Sequence, residues 1–110
     1  MVAPIIKDNR AAIAALCRKH RVKALWVFGS AAGDAWNPET SDVDFLVDLG
    51  DYESGIAMRY LDLADDLEAL MGRAIDLVSV GGLRHKPRLR EELERTRIAL
   101  YERDDAKAVA

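Results

Sequence analysis

The chain has 110 residues, half of them hydrophobic and 32% charged, the composition of one small globular domain rather than of a disordered, collagen-like or disulfide-rich chain. No apolar run approaches the ~20 residues that a bilayer span requires, no signal-peptide core follows Met1, and the single cysteine, Cys17, makes no internal disulfide, so a reducing, cytoplasmic setting is expected. The net charge of −3 conceals a division: residues 1–23 carry six Lys/Arg against Asp8, residues 34–76 carry twelve acids against Arg59 and Arg73, and residues 84–97 carry six bases against three acids. An acidic middle between basic flanks argues against direct nucleic-acid binding, which calls for a dominant basic face.

In chain order, residues 4–20 place Ile6, Ile13, Leu16 and Cys17 at helical spacing. Val22 to Phe28 is apolar on both faces apart from Lys23 and predicts a strand covered on both sides, ended by Gly29. Ser30 to Ser41 is small, polar and turn-forming. Val43, Phe45, Val47 and Leu49 then alternate with Asp42, Asp44, Leu46 and Asp48, which predicts a strand with one apolar and one acidic face. Ile56, Tyr60, Leu63, Leu67, Leu70 and Met71 form the apolar stripe of a long helix, with Gly72 placed as its C-cap. Ala74 to Val80 reads as an interior strand, Pro87 to Arg95 as a short helix, and Ile98 to Glu102 as an edge strand. The second strand follows the first too closely for a helical crossover, so the expected fold is α+β: a small mixed sheet flanked by helices, in one domain over residues 1–110.

The chemistry is expected at three aspartates. Asp42 and Asp44, two residues apart on a strand, point to the same face and repel each other unless a cation lies between them. Asp76 lies among Ile75, Leu77 and Val78, where an unpaired buried acid is costly. Should its strand lie beside that of Asp42 and Asp44, three carboxylates converge and suit Mg²⁺, a hard cation taking oxygen ligands and substrate phosphates. Gly29-Ser30, at the end of the first strand, lets the backbone approach a ligand and can open a phosphate-binding turn. The bland reading leaves Asp48, the acids Asp62, Asp65, Asp66 and Glu68, and the Arg84–Arg90 basic run as solvated surface. Trp26 and Tyr60 are then core, and Trp36 stands in a loop.

Val27-Phe28-Gly29-Ser30, followed after a spacer by Ser41-Asp42-Val43-Asp44-Phe45-Leu46-Val47 and later by Ile75-Asp76-Leu77-Val78, resembles the signature of the DNA-polymerase-β-like nucleotidyltransferases. Within them the chain is most similar to the minimal nucleotidyltransferases (MNT) that pair with HEPN-domain toxins. The likeness spans about residues 20–102. The spacer from Ala31 to Ser41 is eleven residues against the family's usual ten, and it lacks an arginine that many members carry there.

The resemblance implies catalytic and metal-binding roles for Asp42, Asp44 and Asp76, with two Mg²⁺ ions, and triphosphate-positioning roles for Gly29 and Ser30. It further implies transfer of AMP from ATP to a hydroxyl, a tyrosine of a partner HEPN toxin, with the chain acting as antitoxin and forming a homo- or hetero-oligomer. Its small size leaves no separate acceptor-binding domain, so the acceptor is expected from a partner. Two rivals stand beside this reading: an antitoxin module that inhibits by binding, with a weak active site, and nucleotidyl transfer to an antibiotic or RNA.

Overall fold

The computed structural model describes residues 1–104. Its elements are α1 (Pro4–Asp8), α2 (Arg10–Lys19), β1 (Ala24–Phe28), β2 (Val43–Asp48), α3 (Ile56–Met71), β3 (Ile75–Ser79), α4 (Pro87–Thr96) and β4 (Ile98–Glu102), with 3₁₀ turns at Gly29–Ala32 and Val80–Leu83. The expected first helix is two helices, interrupted at Asn9, whose side chain donates to the Ile5 carbonyl at 2.8 Å. An asparagine competes well for backbone acceptors and so marks such a break. The long helix ends as its glycine predicts: Gly72 has φ 66° and its N–H closes on the Glu68 carbonyl at 2.9 Å.

The four strands lie in the order β3-β2-β1-β4. β1 pairs antiparallel with β2 and β4, while β2 and β3 run parallel because α3 carries the chain back between them. The sheet is therefore mixed, and β4 is an edge, as expected. β3 is the other edge rather than an interior strand, and Asp76 is exposed rather than buried. Hydrophobic pattern could not show this, because Leu77 and Val78 are half-buried by a helix on each face, not by a further strand.

One face of the sheet buries Leu25, Val27, Val43, Phe45 and Val47 against Ile6, Ile13 and Cys17 of the N-terminal helices and Leu63, Leu67 and Met71 of α3. Each such side chain stabilises the fold by about 1.5–3 kcal/mol. The packed interior thus begins at Ala3, well ahead of residue 20. Burial pushes the Cys17 thiol up to about 12, which leaves it a small inert hydrophobe. Two polar clamps fasten the helices around this core. Lys19 and His20 both reach Asp66 of α3, at 3.0 and 2.6 Å, and these hydrogen bonds, that from His20 first, hold the Asp66 carboxyl below its usual range. Arg59 donates to the carbonyls of His20 and Arg21 at 3.2 and 2.8 Å.

The opposite face is only partly covered. Leu46 is 1% exposed beneath Leu83 and Leu93, with Trp26, Phe28, Val78 and Val80 around it. This face of β2 is accordingly not uniformly acidic: its middle is a second, smaller core under α4. Trp26 is half-buried there, with Arg97 stacked 4.2 Å above its ring. Asp48 is half-buried rather than solvated, its Oδ1 accepting from the Gly50 N–H at 2.9 Å across the turn. Among the described residues no helix is long and apolar enough to cross a membrane.

Candidate active site

Beyond the rim of the second core, one end of this sheet face stays open. In register, Phe28 of β1 stands opposite Asp44 of β2, and Asp44 opposite Asp76 of β3. Neighbouring strands are about 4.8 Å apart, so the ladder alone brings two carboxylates of distant sequence side by side. Asp44 is half-buried and Asp76 exposed. Their carboxyl groups lie within hydrogen-bonding reach of each other. Burial first, then the charge of Asp76, the hydrogen bond with it and the charge of Asp42 push the Asp44 carboxyl up to about 6. Every one of these influences disfavours the anion, and a pair of acids facing each other without a cation behaves in this way.

Asp42 stands apart from this pair. It is exposed, it lies just ahead of β2, and it acts on Asp44 through charge. Among the described residues no group of three or more His, Cys, Asp or Glu side chains is gathered as a ready-made metal site. The expected convergence of three carboxylates is thus met by two, with the third at the entrance to the strand. The sheet ladder fixes Asp44 and Asp76, whereas Asp42 follows the loop that precedes it. The donors remain all-oxygen and anionic, and Mg²⁺ is commonly held by one or two carboxylates plus phosphate oxygens. The residues present fit that ion.

Gly29 closes the group from the third strand. Its φ of +67° is a conformation that side chains rarely adopt, and a Cβ there would lie 3.3 Å from Asp44 Cγ and overlap its Oδ2 outright. The glycine is thus required twice, for the turn and for the room that Asp44 occupies. Ser30 is half-buried in the 3₁₀ turn, which the N-terminal segment braces through a 2.9 Å bond from the Ala3 N–H to the Ala31 carbonyl. Gly29, Ser30, Asp44 and Asp76 therefore share one end of the sheet. A hollow of about 520 Å³ between α2 and β4, lined by Arg10, Arg18 and Tyr101, is elsewhere. Asp42 and Asp76 lie on open surface, with Asp44 half-buried between their strand positions.

One participant has no signal in the sequence beyond its charge. Arg73, between α3 and β3, donates through Nη1 to the carbonyls of Pro38 and Ser41 at 2.8 and 3.3 Å. Its guanidinium lies 4.9 Å from the centre of the Trp36 ring, and Trp36 packs half-buried on the main core. Nothing in the spacing of Arg73 from Pro38 announces this contact.

A glycine turn closing β1 thus lies at the same end of the sheet as an aspartate on β2 and another on β3 beyond it. Comparison with known proteins places the domain: residues 11–106 match the model of the family described as Polymerase beta, Nucleotidyltransferase, and the chain belongs to that family. It is a nucleotidyltransferase. The chain is 34% identical over 79 residues to the Methanocaldococcus jannaschii protein named "Putative protein adenylyltransferase MJ0128", covering 72% of this chain and 76% of that one. A solved structure described as "putative minimal nucleotidyltransferase" superposes with a TM-score of 0.72 at 35% identity, over 89% of this chain and 95% of the other. The fold is also shared with the Shewanella oneidensis complex of a tri-AMPylated HEPN toxin and MNT antitoxin, with a TM-score of 0.63, 19% identity, and 94% and 77% of the two chains covered.

Proposed function

We propose that the chain transfers AMP from Mg²⁺-bound ATP to a hydroxyl of a partner protein, a tyrosine of a HEPN toxin, and so acts as its antitoxin. The observation that carries this reading is the meeting of Gly29, Asp44 and Asp76 across three strands, with Gly29 unable to bear a side chain. The relative named as a protein adenylyltransferase and the complex containing a tri-AMPylated HEPN toxin support the choice of donor and acceptor.

In this reading Asp42, Asp44 and Asp76 hold the divalent ions. When bound, such ions neutralise phosphate charge and make an acceptor hydroxyl more acidic. Gly29 lets the backbone approach the triphosphate, and Ser30 with neighbouring N–H groups holds its oxygens. The acceptor oxygen forms a bond to the α-phosphorus as the bond to the bridging oxygen of pyrophosphate breaks, and pyrophosphate leaves. Asp76, exposed on an edge strand, is open to the arriving hydroxyl and takes its proton. Positioning and electrostatic stabilisation then supply most of the acceleration.

The test is transfer of label from α-³²P-ATP, in Mg²⁺, to a co-purified HEPN-domain partner. Label on the partner that disappears with Asp44→Ala and with Asp76→Ala supports the proposal. Neutralisation of the toxin that survives both substitutions, with no label transferred, would establish inhibition by binding instead.

A further inference from the structure

Asp42 is the one carboxylate of the three that the sheet does not fix, since it precedes β2 and follows a loop of small and polar residues. Something must set where that loop delivers it. Within the loop, Ser41 is held to Asn37 twice: the Ser41 N–H donates to the Asn37 carbonyl at 2.9 Å, and Ser41 Oγ accepts from the Asn37 N–H at 3.0 Å. Asn37 Oδ1 in turn accepts from the Glu39 N–H at 2.9 Å. These bonds make residues 37–41 a unit, but a unit tied only to itself. Among the described residues, the hydrogen-bonded tie from this unit to a distant segment is Arg73, whose one nitrogen, Nη1, bonds the carbonyls of Pro38 and Ser41 within it. Trp36, seated on the main core, supports the guanidinium plane from below. Arg73 Nε is buried without a hydrogen-bond partner, so the side chain accepts a polar cost to lie in this position.

The same arginine stands three residues before Asp76. Ala74, between them, accepts from the Val43 N–H at 3.4 Å, the first rung joining β3 to β2. The segment Arg73–Asp76 therefore touches both sides of Asp42, through the loop before it and through the strand residue after it. We infer that Arg73 is a positioning residue: its guanidinium, stacked on Trp36 and bonded to the Pro38 and Ser41 carbonyls, holds the 37–41 loop so that Asp42 is delivered to the metal site formed with Asp44 and Asp76. A lysine ammonium can donate to both carbonyls but has no planar face to lay over Trp36, so it reproduces the bonds without the stacking. The inference rests on the proposed role of Asp42 as a metal ligand.

Binding of Mn²⁺ alone, titrated into the protein and followed by electron paramagnetic resonance, reads this without relying on turnover. Outer contacts that orient metal ligands are worth about 10–100-fold in affinity, so Arg73→Ala is expected to weaken Mn²⁺ binding by ~10-fold or more, with Arg73→Lys intermediate. Amide exchange at Thr40 and Ser41 should quicken in the same variants. Arg59→Ala is the control for loss of an arginine that bonds backbone carbonyls away from the acids: it should lower the melting temperature and leave the Mn²⁺ affinity unchanged. A folded Arg73→Ala that binds Mn²⁺ within twofold of the native protein overturns the inference. Should that variant fail to fold, Arg73→Lys with native affinity overturns it equally. Asp42→Asn separates the two levels: unchanged Mn²⁺ affinity there removes the site itself, whereas a weakened Asp42→Asn beside an unaffected Arg73→Ala removes only the role of Arg73.

Discussion

At the scale of single residues, the site consists of side chains that work against stability. Asp44 is pushed up to about 6, chiefly by burial and then by Asp76 beside it. A carboxyl whose folded value is raised binds more protons in the folded than in the unfolded state, so it lowers stability at neutral pH and ceases to do so as pH falls through about 6. In a chelator, the native protein should therefore gain melting temperature between pH 7.5 and 5, and Asp44→Asn should melt higher than native at pH 7.5 with a flatter profile. The same variant should transfer no AMP. Gly29→Ala tests the other side of the contact. It places a Cβ against Asp44 and strains a positive φ, which costs about 1–2 kcal/mol of stability, read by denaturant unfolding. The larger expected effect is on transfer, which should fall by more than tenfold as the carboxylate is displaced.

At the scale of elements, the two helical layers have unequal duties. The layer of α1, α2 and α3 forms the main core and is clamped by Asp66 and Arg59. α4 is attached by little: Leu93 is its one buried side chain, packed with Leu83 on Leu46, while Leu89 is 41% exposed and the Arg84–Arg90 run is solvent-facing. Its coverage stops short of Asp44 and Asp76, which leaves the acids open beside a dry patch. Leu93→Ala should cost about 2–5 kcal/mol in unfolding free energy, and amide exchange should quicken first in α4 rather than in α3. The three-strand row Phe28, Asp44, Asp76 belongs to this scale also. A slip of one residue in either pairing would turn an aspartate into the core, so the buried partners Phe45 and Val43 hold the acids in place.

At the scale of the whole molecule, two cores on opposite faces of one mixed sheet carry the fold. Treatment with a chelator should therefore abolish transfer while far-ultraviolet circular dichroism at neutral pH stays unchanged, and added Mg²⁺ should restore activity. Loss of secondary structure on chelation would contradict this division between scaffold and site. Asp42 and Asp76 are exposed and lie away from the hollow by Arg10 and Tyr101, the placement that the proposed transfer to another macromolecule calls for.

The sequence by itself determined most of the elements, the mixed sheet and the face on which the candidate acids lie, because these depend on local facts. Alternation of Val43, Phe45 and Val47 sets the face of Asp44, Gly72 stops α3, and the conformational freedom of Gly29 is legible from its place after a strand. What only the tertiary structure decided depends on strand order and on contacts between distant segments. β3 proved an edge, so Asp76 is exposed instead of buried. Asp44 and Asp76 meet because the parallel register pairs them, while Asp42 is left to its loop. That loop is held by Arg73 from 32 residues beyond Ser41, a contact made by folding and written in no periodicity.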